Sequence, residues 1–323
     1  MTEMLLPVCT DEGAGQIKTA IFGADGAITS SIQQSIIAEG AMTEGAFYAD
    51  GVVETEEGTT FTIDASHESY YDTRTRGYQL SEEIRSLTHY SLLKQGLAGK
   101  KLHLYVTLSV ENYYLKDSES RDSADRRNQS VIEQKKENLK KSVTFLAPEY
   151  KGQQILVEEV TVMPEAIPLV LDAAIDDKGQ VVERFRKPVN VVTIDIGANT
   201  DDLAYMAVDA LNSQIKPIKV LTRHNSYYFL LEKLKHFLES DPSVPSSHIS
   251  HKVLRAITRG EVNQLAQNHP EAIQKALDKA IHQVVRGILS DIEGVLPKST
   301  GATDPRLIPD YYVCGGGGYS PIE

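Results

Sequence analysis

The feature that most constrains this chain is a strand that runs into an acidic, small-residue turn and back into a strand, present twice. The clearer copy is Val189 to Ala207, VNVVTIDIGANTDDLAYMA. An apolar run from Val189 to Ile194 breaks at Asp195-Ile196-Gly197-Ala198-Asn199-Thr200 and resumes from Leu203 to Val208. The second copy is N-terminal. Leu5 to Thr10 leads into Asp11-Glu12-Gly13-Ala14-Gly15-Gln16, and Ile17 to Phe22 follows with Ile17, Thr19 and Ile21 alternating. Such a turn can present backbone N–H groups to phosphate oxygens, while the carboxylate meets a hydrated metal ion. Gly197 takes φ > 0 freely and Asn199 tolerates it. An ordinary turn at the end of a buried strand is the alternative, and one copy alone does not separate the two. The second copy does, together with a third glycine-rich turn at Val313-Cys314-Gly315-Gly316-Gly317-Gly318. Two phosphate hairpins and a distal glycine turn describe a nucleotide held in a cleft between two lobes.

Composition narrows the classes. At 323 residues the chain has room for two domains and a large core. Its 41% hydrophobic and 24% charged residues are ordinary for a globular protein. The net charge of -12 repels phosphates, so any link to nucleic acid is expected through a partner. Cys9 and Cys314 are too few for a disulfide framework, fit a reducing cytosol, and read as small buried residues. The N-terminus lacks a basic segment followed by an apolar one, so no signal peptide is expected, and no apolar run reaches membrane-spanning length.

Along the chain, the first lobe opens as a meander, with turns at Gly23-Ala24-Asp25-Gly26 and Glu56-Glu57-Gly58. Residues 64 to 78 read as a loop. Leu80 to Gln95 predicts a helix capped by Ser81 and ended by Gly96. Lys101 to Leu108 alternates as a strand. Residues 112 to 129 read as loop, and Ser130 to Lys141 as a basic helix whose lysines 135, 136, 140 and 141 form a solvated face. Gln154 to Val162 is a strand, and Met163-Pro164-Glu165 opens a helix to about Ala174. The second lobe is expected from Pro188. It holds a strand over Ile215 to Leu221, a helix over Tyr227 to Glu239, short helices over His251 to Ile257 and Val262 to Gln267, and a long amphipathic helix over Pro270 to Gly294. Pro297 to Pro309 reads as a loop.

In order and residue type the two hairpins and the glycine turn resemble the actin/hexokinase/DnaK-type ATPase superfamily. Val106 to Tyr114, VTLSVENYY, and Val131 to Pro168, with its Met163-Pro164-Glu165-Ala166-Ile167-Pro168 run, are similar to ParM/StbA, the actin-like proteins of plasmid segregation. The resemblance implies an α/β, two-lobed actin-like fold, with domain I over 1–187, a strand- and loop-rich subdomain at about 30–100, and domain II over 188–323. It implies a filament-forming ATPase that uses ATP, or GTP, with Mg²⁺. It further implies self-association, a DNA-bound adaptor of the ParR type, no direct nucleic-acid or membrane contact, and a cytoplasmic location. The family's closing segment after the glycine turn is expected to be missing, since the chain stops at Glu323.

The residues carry this chemistry on their own terms. Asp11 and Asp195 would hold Mg²⁺ largely through water. The phosphate-binding set is Asp11, Glu12, Gly13, Ala14, Gly15, Gln16, Lys18, Gly197, Ala198, Asn199 and Thr200, with Lys18 as a point charge. Glu165 by position alone is an acid favoured at a helix start. The resemblance instead makes it the residue that orients or deprotonates water, and it makes Asp195 its catalytic partner. It places Gly315, Gly316 and Gly317 on the adenosine side. Some positions depart from the family: Ala14 lacks a hydroxyl, Glu12 replaces a shorter Asp, Ala198-Asn199 replaces Gly-Thr, and Arg223 to Phe229 lacks a glycine. Two other readings remain open here, a small-molecule kinase of the same superfamily and a nucleotide-binding scaffold that does not hydrolyse. A chaperone would need a substrate-binding domain for which the chain has no room.

Overall fold

The computed structural model describes residues 5–23, 26–63, 73, 75, 77–115, 127–261, 263–296 and 309–316, the last six without their side chains. Ala24, Asp25, Val262, Gly317 and Gly318, most of the 64–78 loop, the middle of the 112–129 segment and 297–308 lie outside these residues. The chain divides into two compact units, Met1–Leu108 with Asn112–Pro164, and Ser109–Glu111 with Glu165–Glu323.

The first unit is built on a five-stranded sheet. Strands β1 (Leu6–Glu12), β2 (Gln16–Phe22) and β3 (Ile28–Gln34) form the antiparallel meander. The short strands β4 (Ala38–Glu39), β5 (Thr43–Glu44), β6 (Phe47–Tyr48), β7 (Val52–Thr55) and β8 (Thr60–Thr62) follow, then β9 (Lys101–Leu108), β10 (Val143–Phe145) and β11 (Leu156–Pro164). The main sheet runs β11-β9-β1-β2-β3, with β9 parallel to both β1 and β11. A second sheet runs β10-β7-β8-β4, and β5 pairs with β6. Helix α1 (Glu82–Lys94) is capped as expected, with Ser81 Oγ accepting the Ile84 N–H. It is buried almost all round, from Ile84 to Leu93, so its sequence shows little polar face. After α2 (Val110–Tyr113), a turn of helix that takes in the first two residues of the 112–129 segment read as loop, comes α3 (Gln129–Lys140), capped by Asn128. Its Ile132, Lys135 and Leu139 are buried.

Pro164 closes β11 rather than opening a helix. It pairs with Leu108 at the edge of the sheet, where a missing N–H costs no ladder bond. Helix α4 (Ala166–Ala174) starts two residues later with Glu165 at its cap. Because α4 buries Ala166, Val170 and Ala174 with the second unit, that unit begins at Glu165, earlier than the expected Pro188.

The second unit has one sheet, β14-β13-β12-β15, from β12 (Val189–Ile196), β13 (Asp201–Asp209), β14 (Gln214–Arg223) and β15 (Tyr311–Gly316). Gly315 and Gly316 are strand residues here, lying parallel to Asp195 and Ile196, and not a turn. Helices α5 (Tyr227–Glu239), α6 (His251–Thr258), α7 (Gln264–Asn268) and α8 (Pro270–Val295) cover one face. Val192, Ile194, Leu203 and Tyr205 of the sheet share a core with Leu230, Leu231, Leu234 and Leu238 of α5 and Ile273, Val284 and Ile288 of α8. No helix among the described residues is long and apolar enough to cross a membrane.

Candidate functional site

Strand alternation decides which acidic groups of the first hairpin face outward. In β1, Val8, Thr10 and Glu12 are buried while Cys9 and Asp11 point the other way. Cys9 is therefore exposed, contrary to its reading as a buried residue. The Cys314 side chain is not among those described. Asp11 lies opposite Lys18 across the hairpin, with Lys18 Nζ donating to its Oδ2 at 3.0 Å. The Thr107 hydroxyl reaches the other oxygen at 3.4 Å. Both members of the Asp11–Lys18 pair keep two-fifths or more of their side chains exposed, at 44% and 42%.

Glu12 is corrected as a phosphate-facing side chain. It is buried in the first unit, where Lys135 Nζ lies 2.9 Å from Oε2 and the Thr10 hydroxyl donates to Oε1. Burial pushes its carboxyl above the usual carboxylate range, against the pull of Lys135. Lys135 is corrected with it. It is fully buried and does not belong to the solvated lysine face, which Lys136, Lys140 and Lys141 do form at least in part.

The turn itself is oriented by its carbonyls. Ser35 Oγ donates to the Gly13 carbonyl at 2.8 Å, Thr73 Oγ1 to that of Ala14 at 2.7 Å, and the Ser35 N–H to that of Gly15 at 3.0 Å. A trans peptide is planar, so its N–H opposes its C=O. With three successive carbonyls held by the unit, the N–H groups of Ala14, Gly15 and Gln16 are directed the opposite way. Ser35 and Thr73 had no motif to announce them. They lie 22 and 59 positions from their partners in the turn.

The second hairpin repeats the arrangement with different parts. The Gly197 N–H closes the turn on the Thr200 carbonyl at 2.8 Å. A Cβ on Gly197 would sit 2.8 Å from that same oxygen. Close approach, not a positive φ, is what requires glycine there, and among the described residues Ser213 alone outside glycine has φ > 0. The Tyr227 and Tyr228 N–H groups, from the open first turn of α5, donate to the carbonyls of Gly197 (3.3 Å) and Ala198 (2.9 Å). His224 Nδ1 meets the Asn199 carbonyl at 3.2 Å. The amides of Ala198, Asn199 and Thr200 are thereby directed away from α5.

Behind this turn lies an acid that strand reading from Leu203 passes over. Asp202 pairs with Asp195 in the ladder, so both project on the α4 face of the sheet. Its buried carboxylate accepts from Thr222 Oγ1 (2.5 Å), Thr200 Oγ1 (3.0 Å) and the Val110 N–H (3.3 Å), and it hydrogen-bonds the side chain of Glu165. Burial raises the Asp202 pKa, against the pull of its hydrogen bonds with Thr222, Glu165, Thr200 and Val110. On the opposite face Asp201 is buried too. Its Oδ1 accepts the Asn225 N–H at 2.9 Å, while burial and Asp291 push its pKa up to about 6.

Among the described residues no three His, Cys, Asp or Glu gather to hold a bare metal ion. Asp11 and Asp195 are half-buried carboxylates beside amide-presenting turns, the donor type a largely hydrated Mg²⁺ takes.

A family model described as the plasmid segregation protein ParM, N-terminal, matches residues 6–176. The chain belongs to the ParM family. Solved structures agree on the fold. The non-polymerisable quadruple mutant of pCBH ParM gives a TM-score of 0.64 at 16% identity, over 98% of this chain and 89% of that one. The 15-stranded ParM filament from Clostridium botulinum gives 0.65 at 15%, over 98% and 89%. The archaeal actin homologue Ta0583 gives 0.65 at 18%, over 97% and 88%. The expected actin-like α/β architecture of this ParM-family chain is thus established. No curated protein matches the sequence.

Proposed function

We propose that the chain is a nucleotide-dependent, filament-forming ATPase that moves plasmid DNA through a DNA-bound adaptor of the ParR type. The observation that carries this reading is the pair of hairpins. In each, three successive carbonyls are tied back and the following amides turned outward, on a chain of the ParM family. Amides fixed in this way offer phosphate oxygens a preorganised electrostatic site. Asp11 and Asp195 take the water shell of Mg²⁺, which neutralises charge on the transferred phosphoryl group. Lys18 is released from Asp11 toward phosphate. Glu165 orients or deprotonates the attacking water, and its hydrogen bond with Asp202 holds its carboxyl in place. Gly315, Gly316 and Gly317 take the adenosine side. The ADP complex solved for Ta0583 supports nucleotide binding on this fold, and the Clostridium botulinum filament supports assembly. Hydrolysis in this reading destabilises the filament.

Pelleting with Mg²⁺-ATP, Mg²⁺-ADP, a non-hydrolysable analogue and no nucleotide, with phosphate release followed in parallel, tests this. Protein in the pellet with ATP or the analogue and in the supernatant with ADP is the expected result. A chain that binds nucleotide yet stays soluble throughout would overturn the filament reading in favour of the scaffold.

A further inference from the structure

The ion pair between Glu12 and Lys135 lies on the buried face of β1, opposite Asp11. Glu12 is 1% exposed and Lys135 fully buried, in the core that also holds Val8, Ile17, Ile132 and Leu139. An apolar pair of similar volume often serves a core as well or better, and the best-attested use of a buried ion pair is to fix register. The end of β1 needs that. It carries two adjacent carboxylates, Asp11 and Glu12, which alternation sends to opposite faces, and a slip of one residue would exchange them. The ammonium of Lys135, waiting on the core side, holds the longer of the two. Asp11 is then left with Lys18 and Thr107 on the other face.

We propose that Glu12 and Lys135 are positioning residues for the first turn: their buried ion pair fixes the end of β1, and with it the direction of the 14–16 amides and of the Asp11 carboxylate. The task assigned to that turn rests on the proposed nucleotide binding. Without Lys135 the Glu12 carboxyl loses its counter-charge in the core, and the end of β1 must open to release it.

Hydrogen exchange of the 12–17 segment and Mg²⁺-ATP affinity are measured on the full chain. Lys135→Met is expected to speed exchange and weaken affinity by about tenfold. Glu12→Gln with Lys135→Met is expected to restore both. Wild-type exchange and affinity in Lys135→Met, or no restoration in the double variant, would overturn the proposal. Should Lys135→Met not fold, Glu12→Asp keeps both charges but shortens the reach by one methylene. Faster exchange in the turn is expected there, and unchanged exchange overturns the proposal. Exchange reads the turn without nucleotide, so a wild-type chain that bound no Mg²⁺-ATP would defeat the proposed function and leave this test in force.

Discussion

The two hairpins reach one geometry by different means. The first is held from behind by two hydroxyl side chains, Ser35 and Thr73, and one backbone amide. The second is held by the first turn of α5, whose N–H groups would otherwise lack partners, and by His224. The buried acids differ as well. Glu12 meets an ammonium, whereas Asp202 meets another carboxyl group. An acid neutralised by lysine has little left to do but hold the backbone. An acid hydrogen-bonded to a half-buried neighbour can hold that neighbour in place for chemistry. The comparison assigns positioning to the first hairpin and chemistry to the second.

Removing the acid beside the second hairpin tests that division most strongly. Glu165→Ala is expected to slow phosphate release by on the order of 10²–10⁴-fold, the span of general acid–base catalysis, while pelleting with Mg²⁺-ATP persists. Normal turnover would remove Glu165 from the chemistry and the division with it. Next come the glycines. A Cβ at Gly197 would stand 2.8 Å from the Thr200 carbonyl, and one at Gly13 would stand 3.1 Å from that of Gln16. Gly197→Ala is expected to cost about 2 kcal/mol of stability and Gly13→Ala less than about 1 kcal/mol, read by urea denaturation. The reverse order would mean that the second turn yields to an added methyl more easily than the first.

Asp201 offers a pH test of the loop that clamps the second turn. Burial and the charge of Asp291 push its carboxyl up to about 6 in the folded chain, above the ordinary aspartate value. The folded state thus holds its proton more tightly than the unfolded one. The resulting stability is complete below about pH 4 and lost as pH rises through about 6. Asp201→Asn keeps an acceptor for the Asn225 N–H and never pays for the charge. It is expected to be more stable than the wild type above pH 7, by about 2 kcal/mol, and near parity at about pH 4. A variant whose thermal midpoint tracks the wild type at every pH would mean that Asp201 does not titrate in this window.

Much of this was legible in the sequence, and the misses have local causes. The 189–208 and 101–108 strands are largely buried, and α5 and α8 each bury one stripe at helical spacing, so their periodicities are strong. Pro164 was ambiguous because proline suits both a helix start and the end of an edge strand. Lys135 sat in view: Ile132, Lys135 and Leu139 are spaced three and four apart, which puts the lysine on the apolar stripe of α3 and not on its solvated side. Glu12 and Cys9 followed from the alternation of β1 once Val8 was taken as core. Ser35 and Thr73 were not legible, because a hydroxyl that anchors a carbonyl far along the chain leaves no pattern near either residue.

Those hydroxyls give the finest test of the comparison. Ser35→Ala deletes the 2.8 Å bond to the Gly13 carbonyl and keeps the backbone bond to Gly15. One neutral hydrogen bond lost from a half-buried acceptor is worth about 1 kcal/mol. If that energy holds the amides in direction, it should appear as Mg²⁺-ATP affinity weakened by about fivefold, with hydrolysis per bound nucleotide within about twofold of the wild type. Thr73→Val, which removes the bond to the Ala14 carbonyl at similar volume, should behave alike. A change in turnover at unchanged affinity would place the first hairpin in the chemistry. Unchanged affinity in both variants would mean that its amides keep their direction without the hydroxyls, and that the two hairpins differ less in their support than their hydrogen bonds indicate.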